Sequence, residues 1–188
     1  MISNKFQVLD EHQIMWRLYN KTRQAYKRIK RIFLKYDFKY FITLTFDPKI
    51  IDSNNPDVIS YYLKQFFKNI KVRAKKYNID YYIILIPDFA STEQGIHFHG
   101  LLYTTSLFYL CNSSRFGDTS IYNLNIWTYG FTTAYRLYSK GQKLLNYVFK
   151  YVTKYDTMLM PKYYYYSQYS ANSGVIGACS YTGKQLLF

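Results

Sequence analysis

Two of the chain's 3 histidines stand one residue apart, in Gly95-Ile96-His97-Phe98-His99-Gly100-Leu101-Leu102-Tyr103. Alternate side chains of a β-strand share a face. A strand here turns both imidazoles one way and sends Phe98 the other way, into a core. The segment therefore demands a sheet with one apolar face and one chemically active face. Two imidazoles on a strand face are half of a metal site. The plainer alternative is a pair of strand histidines that hold no ligand.

A carboxylate is the usual third ligand, and two stand nearby. Tyr81-Tyr82-Ile83-Ile84-Leu85-Ile86-Pro87-Asp88 reads as a buried strand with an acid at its end. Ser91 to Gly95 reads as the loop returning to the histidine strand. Antiparallel pairing of these strands would set Asp88 beside the histidines. Glu93 is the alternative, placed in the loop.

An earlier segment, Tyr40-Phe41-Ile42-Thr43-Leu44-Thr45-Phe46-Asp47-Pro48, alternates apolar residues with Thr43 and Thr45. It reads as a strand with one apolar and one hydroxyl face, ended by Pro48. Taken alone it is an ordinary amphipathic strand.

The fourth segment is Tyr147-Val148-Phe149-Lys150-Tyr151-Val152-Thr153-Lys154. On a helix, residues four apart share a face. Tyr147 and Tyr151 would then stand together, with Lys150 and Lys154 close by. A phenol is a poor nucleophile until deprotonated, and a nearby ammonium favours the phenolate. The chain holds 24 Tyr in 188 residues, so tyrosine pairs at this spacing also arise by chance.

Taken together, these segments resemble the HUH endonucleases, specifically the rolling-circle replication initiators. Phe41 to Phe46 is similar to their first motif. His97-Phe98-His99 is similar to the metal motif that names the superfamily. Tyr147 to Lys154 is similar to the Tyr-x-x-Lys-Tyr-x-x-Lys nucleophile motif of the two-tyrosine type found in small single-stranded DNA phages (Microviridae) and related plasmid and prophage replicons. Trp127-Thr128-Tyr129-Gly130-Phe131 resembles the Trp-x-x-Gly stretch before the nucleophile helix. Asp88 occupies the place where the family more often carries Glu. The resemblance spans roughly Tyr40 to Lys154.

The resemblance implies a function. His97, His99 and Asp88 would hold Mg²⁺ or Mn²⁺. Tyr147 or Tyr151 would attack a phosphodiester of single-stranded origin DNA, giving a 5′-phosphotyrosine link and a free 3′-OH. Lys150 and Lys154 would stabilise phenolate or phosphate charge, and Thr43 and Thr45 would contact DNA. It also implies an α+β fold in which a central antiparallel sheet is flanked by helices, related to the ferredoxin-like and RNA-recognition arrangements. Other readings are a transposase or relaxase of the same superfamily, or a non-catalytic module that binds single-stranded nucleic acid.

Bulk properties fit these expectations. Net charge is +14, from 25 Lys+Arg against 11 Asp+Glu, an electrostatic footprint suited to nucleic acid. Aromatic and basic residues interleave, which suits stacking on unpaired bases. An AT-rich genome would equally enrich Tyr, Lys, Ile and Asn. Cys111 and Cys179 form no metal or disulfide pattern, as expected in a reducing cytosol. With no signal peptide and no bilayer-length apolar run, a cytoplasmic location and no membrane partner are expected.

Along the chain, residues 11–36 read as a helix carrying Met15, Trp16, Leu18, Tyr26, Ile29, Ile32 and Phe33 at helical intervals. His12 at its start has no assigned role. Pro56–Tyr77 reads as a second helix with a basic face. Residues 111–119 read as a loop, 120–137 as one or two strands, and 139–155 as the nucleophile helix. The tail, 156–188, shows no clear period and offers Val175 to Ser180 as a last strand. One domain over 1–188 is expected, with its core at about 38–155. No phosphate loop of the Gly-x-x-x-x-Gly-Lys-[Ser/Thr] type occurs. A helicase and a polymerase would therefore be host or replicon partners.

Overall fold

The computed structural model describes residues 10–89, 95–106, 109–113, 121–138, 142–152, 160, 162 and 164–171. The element order is α1 (Glu11–Lys35), β1 (Tyr40–Phe46), α2 (Pro56–Tyr77), β2 (Tyr81–Phe89), β3 (Ile96–Thr104), β4 (Leu110–Asn112), β5 (Ile121–Leu124), β6 (Gly130–Arg136), α3 (Gln142–Val152) and β7 (Tyr165–Tyr169). The strands form one sheet in the order β4-β5-β6-β1-β3-β2-β7. Every neighbouring pair is antiparallel. The fold is α+β, with a central antiparallel sheet flanked by helices, as the sequence implied.

Local chemistry explains the main elements. Helix α2 starts at Asn55, whose side chain accepts the N–H groups of Asp57 and Val58, with Pro56 in the first turn. It stops at Asn78, which adopts the left-handed conformation. Ile59, Leu63, Phe66 and Ile70 lie four or three apart and are buried. They cover one face of the sheet, where Ile42, Leu44, Leu85 and Phe98 point. Strand β3 lies between β1 and β2, which are joined through α2, giving the split β-α-β unit of ferredoxin-like folds. Helices α1 and α3 pack against each other over the opposite face, on Phe41, Ile84, Ile86 and Leu101. The sheet is thus sandwiched, with α2 on one side and α1 and α3 on the other.

Three sequence expectations change. Met15 and Trp16 are 59% and 63% exposed, not core. Only from Ala25 onward does α1 contribute buried side chains, because its first half overhangs the packed layer. The expected loop at 111–119 begins as strand β4, three residues held by backbone pairing to β5. The aperiodic tail contains β7, which pairs with Tyr81 to Leu85 of β2. Its inward residue, Ser167, is buried and hydrogen-bonds the Tyr81 hydroxyl at 2.6 Å. Polar side chains thus face both sides of β7 and mask its period. The expected strand at Val175 to Ser180 lies outside the described residues.

Where β3 starts, Gly95 has φ +61° and its Cα abuts Ser53, whose carbonyl accepts the Ile96 N–H at 2.8 Å. A Cβ on Gly95 would collide with the Ser53 hydroxyl and come within 2.8 Å of its carbonyl oxygen. Gly95→Ala is expected to lower stability by about 2 kcal/mol or more through left-handed strain and this clash. Urea denaturation measures it, and an unchanged midpoint would show that the close approach is not needed.

Candidate metal centre and tyrosine pair

The register of β2 on β3 sets Asp88 directly opposite His97. The register of β1 on β3 sets Thr43 opposite His99 and Thr45 opposite His97. Directly paired residues share a face, so all five side chains stand on the side of the sheet that carries α1 and α3. Phe98, between the imidazoles, is fully buried on the other side. Strand β7 pairs only as far as Leu85, so Pro87 falls beyond the outer ladder, where a missing N–H is tolerated.

The three ligand-type side chains converge. Asp88 Oδ2 lies 3.4 Å from His97 Nε2 and 3.5 Å from His99 Nε2. The two Nε2 atoms are 3.1 Å apart. Ligands about 2.1 Å from a divalent cation, at octahedral to tetrahedral angles, stand roughly 3.0–3.4 Å apart. The donor set therefore fits such an ion, held from one side with positions left open on the other. Among the described residues this is the group of side chains suited to a metal. Asp88 is only 5% exposed, and a buried carboxylate calls for a cationic partner.

Neighbouring side chains fix the ligands. His99 Nδ1 lies 3.2 Å from the Thr43 hydroxyl oxygen. With Nε2 turned to the metal position, Nδ1 carries the proton and donates it to Thr43, which sets the ring's tautomer and angle. Phe41 stacks near the same ring, with centroids 5.8 Å apart. The sequence had marked Thr43 for DNA contact, and its backing of His99 went unseen. Its signal was the register, which a single strand does not display.

Helix α3 brings in the tyrosines. Leu145, Val148 and Val152 anchor it, which leaves Tyr147 and Tyr151 along the edge nearest the imidazoles. The Tyr151 ring stacks on His99 with centroids 4.1 Å apart. Its hydroxyl donates to the Tyr147 oxygen at 2.7 Å. Tyr151 is 8% exposed, whereas Tyr147 is 46% exposed. Burial, then the hydrogen bond with Tyr147, holds the Tyr151 phenol above the ordinary tyrosine range, and the Asp88 carboxylate adds to this. Lys150 is exposed one turn from Tyr147.

The Trp-x-x-Gly stretch buttresses β1 rather than lining the site. Trp127 Nε1 donates to the Thr45 carbonyl at 3.1 Å, and the Asp47 N–H donates to the Tyr129 carbonyl at 2.9 Å. A Cβ on Gly130 would collide with the Thr45 carbonyl oxygen. His12 is exposed on α1 and Cys111 on β4. Glu93 and Lys154 lie outside the described residues. No helix among the described residues is long and apolar enough to cross a membrane.

Residues 39–156 match the family of replication-associated proteins described as ORF2 or gene-2 protein. No curated protein and no solved structure matches the chain.

Addition of Mn²⁺ is expected to raise the thermal midpoint, with Mg²⁺ needing higher concentration because imidazole ligands favour the later metal. Asp88→Asn and His97→Ala should abolish the shift. Thr43→Val should keep the fold and weaken metal affinity by about 10–100-fold. Differential scanning fluorimetry with a metal titration reads all three. A shift that persists in His97→Ala would place the bound ion elsewhere.

Proposed function

The chain belongs to this family of replication-associated proteins, and we propose that it initiates rolling-circle replication as a two-tyrosine HUH nickase and strand-joining enzyme. The observation that carries this reading is the placement of two hydrogen-bonded phenols over three converging metal-type ligands.

A divalent cation held by Asp88, His97 and His99 would supply Lewis-acid polarisation of the scissile phosphate. The remaining chemistry belongs to the chain. Tyr147, the exposed phenol, is the first nucleophile. Its proton leaves to solvent while the Tyr151 hydroxyl donates to the developing phenolate. The Tyr147 oxygen forms a bond to phosphorus, and the bond from phosphorus to the 3′ oxygen breaks. That oxygen takes up a proton and becomes a 3′-OH able to prime synthesis. Tyr151, stacked on His99 and still unreacted, remains for the second transfer that closes the displaced strand. Lys150, with Lys154 beyond the described residues, contributes positive charge for the phosphate, and Thr43 and Thr45 border the DNA. The whole chain acts as one nuclease domain, leaving unwinding to a helicase and extension to a polymerase of the host or replicon.

A denaturing-gel adduct assay with single-stranded origin DNA and Mn²⁺ tests this. Tyr147→Phe is expected to lower first-cut adduct by roughly a hundredfold or more. Tyr151→Phe should keep that adduct and lose strand transfer, and His97→Ala should lose both. The opposite ranking of the two tyrosines would overturn the order proposed. Binding without any adduct would point to the non-catalytic module.

A further inference from the structure

The face of the sheet that carries the metal triad is only partly covered. Helix α3 packs over β2 and β3, and α1 packs on α3. On the other side of β1 lies β6, whose register sets Phe131 opposite Thr45 and Tyr135 opposite Phe41. Thr45 in turn pairs with His97, so His97, Thr45 and Phe131 form one row across the sheet. At a strand spacing near 4.8 Å, Phe131 stands roughly 10 Å from His97. A second row runs from Phe41 to Tyr135, and Phe41 touches the Tyr147 ring, with centroids 5.3 Å apart. Phe131 is 57% exposed and Tyr135 is 42% exposed.

A large ring on the open face of a sheet needs no explanation where it stands singly. Here two rings occupy the same face of one strand, four residues apart, beside the triad in one row and beside the nucleophile in the other. Between them the floor is built of small hydroxyl side chains, Thr43, Thr45 and Thr133. The result is a shallow trough, polar at its base and walled by aromatic rings, opening onto the ligand cluster. Flat π faces beside a phosphate site, in a chain of net charge +14, suit unpaired bases whose backbone is held by cations.

We propose that β6 is a base-stacking platform, with Phe131 and Tyr135 holding unpaired nucleotides of a single DNA strand as it leads to the metal triad. The two rings are about 13 Å apart along the strand, so they stack on different nucleotides. The platform rests on the proposed nicking function for its purpose, but its test requires no chemistry.

Binding to fluorescein-labelled (dT)20 and to a fully abasic 20-mer would be measured by anisotropy in EDTA. The abasic strand keeps the phosphates and offers no base to stack on. The intact chain should prefer (dT)20. Phe131→Ala/Tyr135→Ala should shrink that preference about tenfold or more while leaving abasic affinity unchanged. Each single variant should give part of the loss, and Phe131→Tyr should retain the preference. Thermal midpoints check that the fold is kept. An equal loss on both strands, an unchanged preference, or a shift in oligomeric state on Phe131→Ala would each overturn the platform. Failure of the nicking proposal would appear separately, as absent adduct with the base preference intact.

Discussion

The site depends on the pairing register of three strands. Asp88, His97, Thr43 and Thr45 come from β2, β3 and β1, and none of these strands alone forms a constellation. A slip of one residue in β3 would turn both imidazoles towards α2 and expose Phe98. The cost is set by the opposite face, where Phe98 packs among Phe46, Tyr165 and the residues under α2. Each large apolar side chain taken out of water is worth about 1.5–3 kcal/mol. The apolar face therefore fixes the register, and the register builds the ligand set on the other face.

That division of labour explains what the sequence revealed. Alternation in Ile96 to Thr104 and in Tyr40 to Phe46 is a two-residue signal, readable strand by strand. The acid at the end of Tyr81 to Asp88 needed one further assumption, an antiparallel return, and the pairing of Asp88 with His97 is that return. Helix α2 was legible to its ends because Asn55-Pro56 and Asn78 are strong local stops. The roles of Thr43 behind His99 and of Trp127 beneath Thr45 were hidden, since each depends on a partner 56 or 82 residues away. Strands β4 and β7 were hidden for a different reason. They lie at the sheet's two ends and are held by backbone bonds and hydroxyl contacts, so no apolar period marks them.

The tyrosine pair shows how a helix can make two like residues unequal. Spacing by four puts Tyr147 and Tyr151 on one edge of α3, which the sequence displays. Their environments differ because that edge leans on the sheet. Tyr151 is pressed onto His99, while Tyr147 meets only the rim, against Phe41. Burial of one phenol and exposure of the other follow from the tilt of a single packed surface. No difference in their immediate sequence context would have predicted it.

The same two-sidedness changes how the chain's positive charge must be read. Lys64, Lys68, Lys71, Arg73, Lys75 and Lys76 are exposed on α2, and Lys21, Arg23, Lys27, Arg28, Lys30 and Arg31 are exposed on α1. As a count the two helices are alike. The α2 cations, however, project from the outer side of a helix lying on the far face of the sheet. Between them and the triad lie the helix, a core layer and the sheet, a path well beyond the Debye length of about 8 Å at physiological salt. The α1 cations rise from the same face as Asp88, His97 and His99. The field felt by an anion at the metal centre is therefore set far more by α1 than by α2, although net charge treats them as equal.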